Sequence, residues 1–186
     1  MHQIKTSRLI LRPWRQSDLE SYFLINQDTK VLEFLPGSIS KEQIKDFMQY
    51  QNQQLENRGY MLWSAELQDT GELIGFIGLN YFDKPAHFSP AVEIGWRLGS
   101  QYWGFGYATE GALAALDYGF NQLGLNEIVA FTVPDNLRSR KVMERIGMTH
   151  DIEGSFAHPK LPTDHHLSKH VLYRIKKIII SSIEFI

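Results

Sequence analysis

The stretch Gln101-Tyr-Trp-Gly104-Phe-Gly106-Tyr-Ala-Thr109 lies between a strand-like and a helix-like segment. It holds the residue types best placed to do chemistry. A helix start leaves up to four backbone N–H groups without internal partners, and its dipole is positive there. Glycine lets the chain turn sharply and lets an anion approach the backbone closely. The spacing therefore predicts an anion site, with a phosphate or diphosphate as its natural ligand. A dinucleotide-binding loop would need a third glycine where Thr109 stands, and the segment lies behind hairpins rather than at a chain start. A Walker A loop needs a Gly-Lys pair, and the chain has none.

Two other groupings suggest chemistry and read better as structure. His166 and His170 have a metal-like i, i+4 spacing, with His158 and His165 nearby. That spacing works only on a helix, His170 enters a strand-like run, and no adjacent Glu accompanies the pair. These histidines read as a polar loop beside an acceptor pocket, and no metal is expected. Tyr102, Trp103, Phe105 and Tyr107 could stack on nucleic-acid bases. Without accompanying positive charge, they read as packing around the loop.

The elements that must position the loop are legible around it. Arg8–Trp14 alternates and stops at Pro13, as a first strand does. Ser17–Glu20 and Ser40–Gln43 read as capping boxes. The first opens a helix with Leu19, Tyr22 and Phe23 on one face. The second opens a helix with Ile44, Phe47, Met48, Gln51 and Leu55 in register, closed by Gly59. Tyr60–Leu67 and Leu73–Phe82 flank a hairpin turn. Ala91–Leu98 reads as a strand with Val92, Ile94, Trp96 and Leu98 on one face and Glu93, Gly95 and Arg97 on the other. After the loop comes a helix with Leu113, Leu116, Phe120 and Leu123 on one side, stopped by Gly124. Glu127–Val133 is rich in β-formers. A short helix follows Asn136, with Val142, Met143 and Ile146, and ends at Gly147. Met148–Ser155 and His170–Ile175 read as closing strands. Hairpins followed by a strand–loop–helix–strand unit predict a mixed α/β or α+β layer fold.

Bulk properties bound the function. The 186 residues, 43% apolar and 22% charged, suit one globular domain over 1–177 with an apolar tail over 178–186. A net charge of −2 argues against a nucleic-acid partner. The absence of cysteine removes thiolate metal sites and cysteine nucleophiles, and fits a reducing cytoplasm. The N-terminus does not read as a signal peptide. No window reaches the about 18 apolar residues of a membrane span, so no membrane role is expected. The run Ile178–Ile180 could pair at a sheet edge in a homodimer.

The motifs together resemble one family. Gln101-x-x-Gly104-x-Gly106 is similar to the Gln/Arg-x-x-Gly-x-Gly/Ala signature of the GNAT acetyltransferases. Val92-Glu-Ile-Gly-Trp96 resembles the family's fourth strand. Thr6-x-Arg8-Leu-x-Leu-Arg12-Pro13, Asn136-x-x-Ser139 with Val142-Met-Glu-Arg-Ile-Gly-Met148, and His170-Val-Leu-Tyr173 resemble its RimJ/RimL branch. The likeness runs over residues 5 to 176.

The resemblance implies acetyl-CoA and a mostly antiparallel central sheet, flanked by helices and splayed between its fourth and fifth strands. Pantetheine would pair with the strand backbone around Trp96, Arg97 and Leu98. The pyrophosphate would sit on the amides of Trp103, Gly104, Phe105, Gly106, Tyr107, Ala108 and Thr109. The Asn136 side chain would bond the pantetheine arm. Glu93, near the splay, is the candidate general base. Ser139 is the candidate donor to the departing thiol, its alternative being helix capping. Met143 stands where many members carry a tyrosine acid. A backbone N–H of the fourth strand would polarise the thioester. Direct attack needs no acyl-enzyme, in keeping with the missing cysteine. The acceptor would be a primary amine. The branch favours a protein N-terminal α-amine; the alternatives are an aminoglycoside, polyamine or amino acid, or a non-catalytic acyl-CoA sensor.

Overall fold

A computed structural model describes residues 3–177. The tail over 178–186, and the dimer suggested from it, lie outside the described residues. Among the described residues eight strands form one sheet in the order β1-β2-β3-β4-β5-β6-β8-β7. They are β1 (Ile4–Lys5), β2 (Leu9–Arg12), β3 (Leu62–Leu67), β4 (Leu73–Phe82), β5 (Ala91–Leu98), β6 (Glu127–Thr132), β7 (Thr149–Ala157) and β8 (Lys169–Lys176). Every neighbouring pair is antiparallel except β5 and β6. The expected mixed fold is present. The short β1 raises the strand count by one, so the expected fourth and fifth strands are β5 and β6.

Among the described residues five α-helices flank the sheet: α1 (Leu19–Ile25), α2 (Thr29–Leu32), α3 (Lys41–Arg58), α4 (Tyr107–Asp117) and α5 (Leu137–Arg145). Successive strand residues point to opposite faces. Phe76 of β4 meets Tyr22 of α1 and Phe47 of α3, with ring centroids 6.2 and 5.8 Å apart. Its neighbour Ile77 points the other way, against Gly111 of α4. On that second face Arg140 of α5 reaches the hydroxyl of buried Tyr173 on β8.

Local chemistry sets most boundaries. Ser40 Oγ accepts the Gln43 amide while Gln43 Oε1 accepts the Ser40 amide, which starts α3. Gly59, at φ 78°, ends it in the left-handed conformation glycine favours.

Two expectations are corrected. Ser17 does not cap α1. It lies inside a 3-10 turn over Gln16–Asp18, and Asp18 reaches back to the Arg15 amide at 2.7 Å. Asp18 is fixed there by buried Arg12, whose guanidinium also holds Glu66. Leu113 is not on the inner face of α4, being 48% exposed. The buried stripe is Gly111, Ala112, Ala115 and Leu116. Small residues let the helix lie close on β4: a Cβ at Gly111 would stand 2.4 Å from Ile77 Cδ1. A π-helical turn over Tyr118–Gln122 then shifts the register, so the 3.6-residue period linking Leu113 to Phe120 does not hold.

Candidate active site

β5 pairs with β4 along its whole length, from Ala91 to Leu98. Towards β6 it pairs at one place, Glu93 opposite Val129. Beyond that point the strands diverge, and among the described residues the β6-side edge of Ile94–Leu98 has no strand partner. Backbone groups on such an edge are a template for an added extended chain. A slot of about 580 Å³ opens there, with Trp96, Arg97 and Leu98 on one lip and Thr132, Asn136 and Ser139 on the other.

The slot runs onto the glycine loop. A 3-10 turn over Ser100–Tyr102 leads into Gly104 and Gly106, both in the left-handed region at φ 85° and 84°. α4 then starts at Tyr107, and among the described residues no side chain caps its first turn. The Tyr107, Ala108 and Thr109 amides therefore open the helix at its positive end. The Trp103 amide is not part of this cradle, because it bonds Ser100 O at 3.2 Å. Its indole Nε1 instead donates to Leu98 O at 2.9 Å.

The loop is tied to the start of the chain. Glu110, in the first turn of α4, accepts from Thr6 Oγ1 at 2.6 Å, Ser7 Oγ at 3.0 Å and the Arg8 amide at 2.9 Å. Arg8 also donates from Nε to Glu110 at 2.6 Å and from Nη1 to Phe105 O at 3.0 Å. Burial alone would raise the Glu110 pKa, but these donors outweigh it and hold the carboxylate below its usual range. The anionic side chain is thus turned aside from the amides it would otherwise cap.

At the closed end of the slot stands Glu93. Burial pushes its pKa up to about 7, against the opposing pull of a 3.3 Å hydrogen bond from Asn80 Nδ2 and of Lys160. It keeps partial access to the slot. A carboxylate poised near neutrality can take a proton and release it. On the opposite lip Asn136 is the N-cap of α5: its Oδ1 accepts the Ser139 amide at 3.2 Å, and its Nδ2 donates to Thr132 Oγ1 at 3.1 Å. Ser139 is therefore the capped residue, not the cap; it lines the slot, and its hydroxyl has no hydrogen-bond partner among the described residues.

The family profile described as "Acetyltransferase (GNAT) domain" matches residues 8–149. The chain belongs to the GNAT acetyltransferases. It is 34% identical over 152 residues to the uncharacterized N-acetyltransferase YnaD of Bacillus subtilis (strain 168), covering 80% of this chain and 82% of the relative. It is similar to the crystal structure of a GNAT-family acetyltransferase from Bacillus anthracis, with TM-score 0.76, 30% identity, and 94% and 98% of the two chains covered. RimJ of Mycobacterium smegmatis, in complex with CoA-disulfide, shares the fold at TM-score 0.75 and 22% identity, with 94% and 87% covered.

The protein is an acyltransferase, and GNAT acetyltransferases use acetyl-CoA. The residues present fit that molecule. An unpaired strand edge suits the amides of pantetheine, and a glycine-flanked helix start suits a diphosphate.

Of the residues expected in the site, Glu93, Trp96, Arg97, Leu98, Trp103, Gly104, Gly106, Tyr107, Ala108, Thr109, Asn136 and Ser139 all line the slot. Gln101 and Phe105 do not. Gln101 folds against Gly99, and Phe105 is 60% exposed, stacked on Tyr107. The Arg97 side chain donates to Asn26 Oδ1 at 2.7 Å, tying β5 to the end of α1. Buried Met143 occupies the expected tyrosine position. His170 lies on β8 and His166 in the connection before it, so the helical spacing a metal pair would need is absent.

Three lining residues, Phe34, Leu35 and Phe131, were not expected, whereas His170 is expected beside the acceptor pocket. Phe34 and Leu35 follow α2, which at four residues is too short to show a period. Phe131 and His170 close the far end. Arg138 was also passed over. Its guanidinium lies 4.5 Å from the Trp103 ring and pairs with Glu33, so it bridges the two lips.

Proposed function

We propose that this GNAT enzyme acetylates a primary amine by direct attack, and that its acceptor is a peptide α-amine. The observation that carries the proposal is the β5 edge that has no strand partner from Ile94 to Leu98 among the described residues, with an amide cradle at one end and Glu93 at the other.

When bound, acetyl-CoA would supply an acyl thioester, whose carbonyl carbon takes the amine and whose thiol leaves. The amides from Gly104 to Thr109 would hold the pyrophosphate, and the β5 edge around Trp96–Leu98 would hold pantetheine. Asn136 retains one Nδ2 hydrogen and one Oδ1 lone pair for the same arm. A β5 backbone N–H on the open edge stabilises the carbonyl oxygen as it gains charge. Glu93 accepts the proton that the amine sheds as the N–C bond forms. Ser139 Oγ donates a hydrogen bond towards the departing sulfur.

The Glu93 pKa of about 7 favours an α-amine. An α-ammonium titrates at roughly 7.7–8.0 and a lysine ammonium at roughly 10.4, so only about one lysine in a thousand is neutral near pH 7.4. A base near neutrality matches the first and is mismatched to the second by more than three units.

An acceptor screen with thiol-release detection tests this. Peptides with a free α-amine are expected to discharge acetyl-CoA, and the same peptides blocked at the N-terminus but bearing a free lysine are not. Discharge by no amine, with CoA still bound, would point to a non-catalytic acyl-CoA sensor.

A further inference from the structure

The far end of the slot has a wall of its own, laid out by strand register. Asn80 of β4 stands opposite Glu93, and Glu93 opposite Val129 of β6. Residues two apart on a strand share a face, as do register partners. Phe82 therefore shares the Glu93 face with Asn80, and Phe131 shares it with Val129. Phe131 pairs with Leu172, which puts His170 on that face, and His170 pairs with Phe156.

The side chains close into a cluster of flat rings. Phe131 lies 5.1 Å from Phe82, 5.3 Å from Phe156 and 5.9 Å from His170. Phe88 packs on Phe156 at 4.9 Å, and His158 on His170 at 4.9 Å. This is the face of α1 and α3, and those helices stand over β4 rather than over β6 to β8. Of these rings Phe131 and His170 line the slot together with Glu93, and Phe82, Phe88, Phe156 and His158 pack behind them.

Charge on the slot is one-sided. Among the described residues Glu93 is the only acidic side chain lining it, against Lys30, Arg97, Lys141, Arg145 and an Arg138 already paired with Glu33. The two imidazoles add no charge at neutral pH: burial, with His170 and Lys160 nearby, pushes His158 down to about 4, and burial lowers His170. A second or third ammonium on an acceptor would find no carboxylate there and would lose hydration without a partner.

Resting on the reading of this slot as an acetyltransferase site, we infer that it selects amines carrying one positive charge and an aromatic or bulky apolar group beside the amine. Polyamines and aminoglycosides are excluded by the lack of acidic partners. The ring wall takes the apolar group, and Glu93 serves the single amine. A peptide starting with an aromatic residue and a free arylalkylamine share this chemistry.

Binding and turnover separate the inference from the function it rests on. The CoA-loaded protein is titrated by calorimetry with phenylalanine-initiated and glycine-initiated pentapeptides, 2-phenylethylamine, spermidine and kanamycin. The phenylalanine peptide is expected to bind roughly tenfold or more tightly than the glycine peptide, as a filled apolar pocket allows. Comparable binding of 2-phenylethylamine would assign the site to small arylalkylamines; its failure beside a binding peptide would assign it to peptides. Phe131→Ala should collapse the phenylalanine-over-glycine ratio, with unchanged CoA binding reporting an intact fold. Tighter binding of spermidine or kanamycin than of the phenylalanine peptide, or equal binding of both peptides, overturns the inference. Thiol release from the same mixtures is the separate test of transfer: its absence defeats the proposed function while the binding order still decides the acceptor class.

Discussion

Glu93 and Val129 face each other at the single register pair joining β5 to β6 among the described residues. The candidate base therefore sits at the vertex of the opening, where the two strands close. An acyl group carried along the β5 edge from the cradle would come to rest against it. Glu93→Gln keeps the shape and the Asn80 contact but removes the base. Turnover should fall roughly 10²- to 10⁴-fold, with CoA affinity unchanged. In the native enzyme kcat should rise with pH and level off above about 7, the value at which Glu93 ionises. In the variant that rise should vanish. Steady-state rates from pH 5.5 to 9 check both.

The same carboxylate costs stability. Its folded pKa, about 7, is above its ordinary value of 4.5. The folded state thus binds this proton more tightly than the unfolded chain does. The resulting stabilisation is fully present below 4.5 and is lost as pH rises through about 7. Glu93→Gln should melt like the native protein near pH 4 and be more stable at pH 8, by roughly 3 kcal/mol. Thermal unfolding at the two pH values measures it. Equal melting at pH 8 would mean that Glu93 is well solvated.

Arg8 holds the loop by way of Glu110 and the Phe105 carbonyl. Its side chain is half-exposed, so the ion pair itself contributes little, about 0–1 kcal/mol. Its main effect is to fix the amides. Arg8→Ala should weaken CoA binding by about three- to tenfold, or roughly 1 kcal/mol, with kcat at saturation nearly unchanged. Comparing KM for acetyl-CoA with kcat separates this from a catalytic role.

Gly104 offers a cleaner probe of the cradle. An added Cβ would meet nothing within 4 Å, yet φ is +85°. Gly104→Ala therefore introduces backbone strain of about 1–2 kcal/mol and no clash. Relaxing that φ would turn the neighbouring amides, so CoA affinity should drop while the remaining fold, followed by circular dichroism, persists.

The parts of this architecture that local chemistry decides were legible in the sequence. Ser40, Gln43 and Gly59 bound α3 as read, and Ala91–Leu98 is the strand expected, because caps and alternation act within a few residues. The glycine loop was legible for the same reason, whereas the two lips of the slot were expected from the family resemblance. Leu113 was misread because apolarity was taken to mark the buried face, whereas close packing on β4 selects Gly111, Ala112 and Ala115. Ser17 was misread because a buried partner, Arg12, draws Asp18 into the reach-back role. The ring wall was invisible: Phe82, Phe131, Phe156 and His170 come from four strands and meet only through register. Arg138 bridges the lips to Glu33 and Trp103, contacts that no spacing encodes.

Calorimetric titration of the protein with CoA tests the amide cradle most directly. A single exothermic site in the micromolar range, about −8 kcal/mol, is the result expected of amides from Gly104 to Thr109 gathered on a diphosphate, and it should weaken sharply in Gly104→Ala. No heat of CoA uptake, or an affinity indifferent to Gly104→Ala, would contradict it.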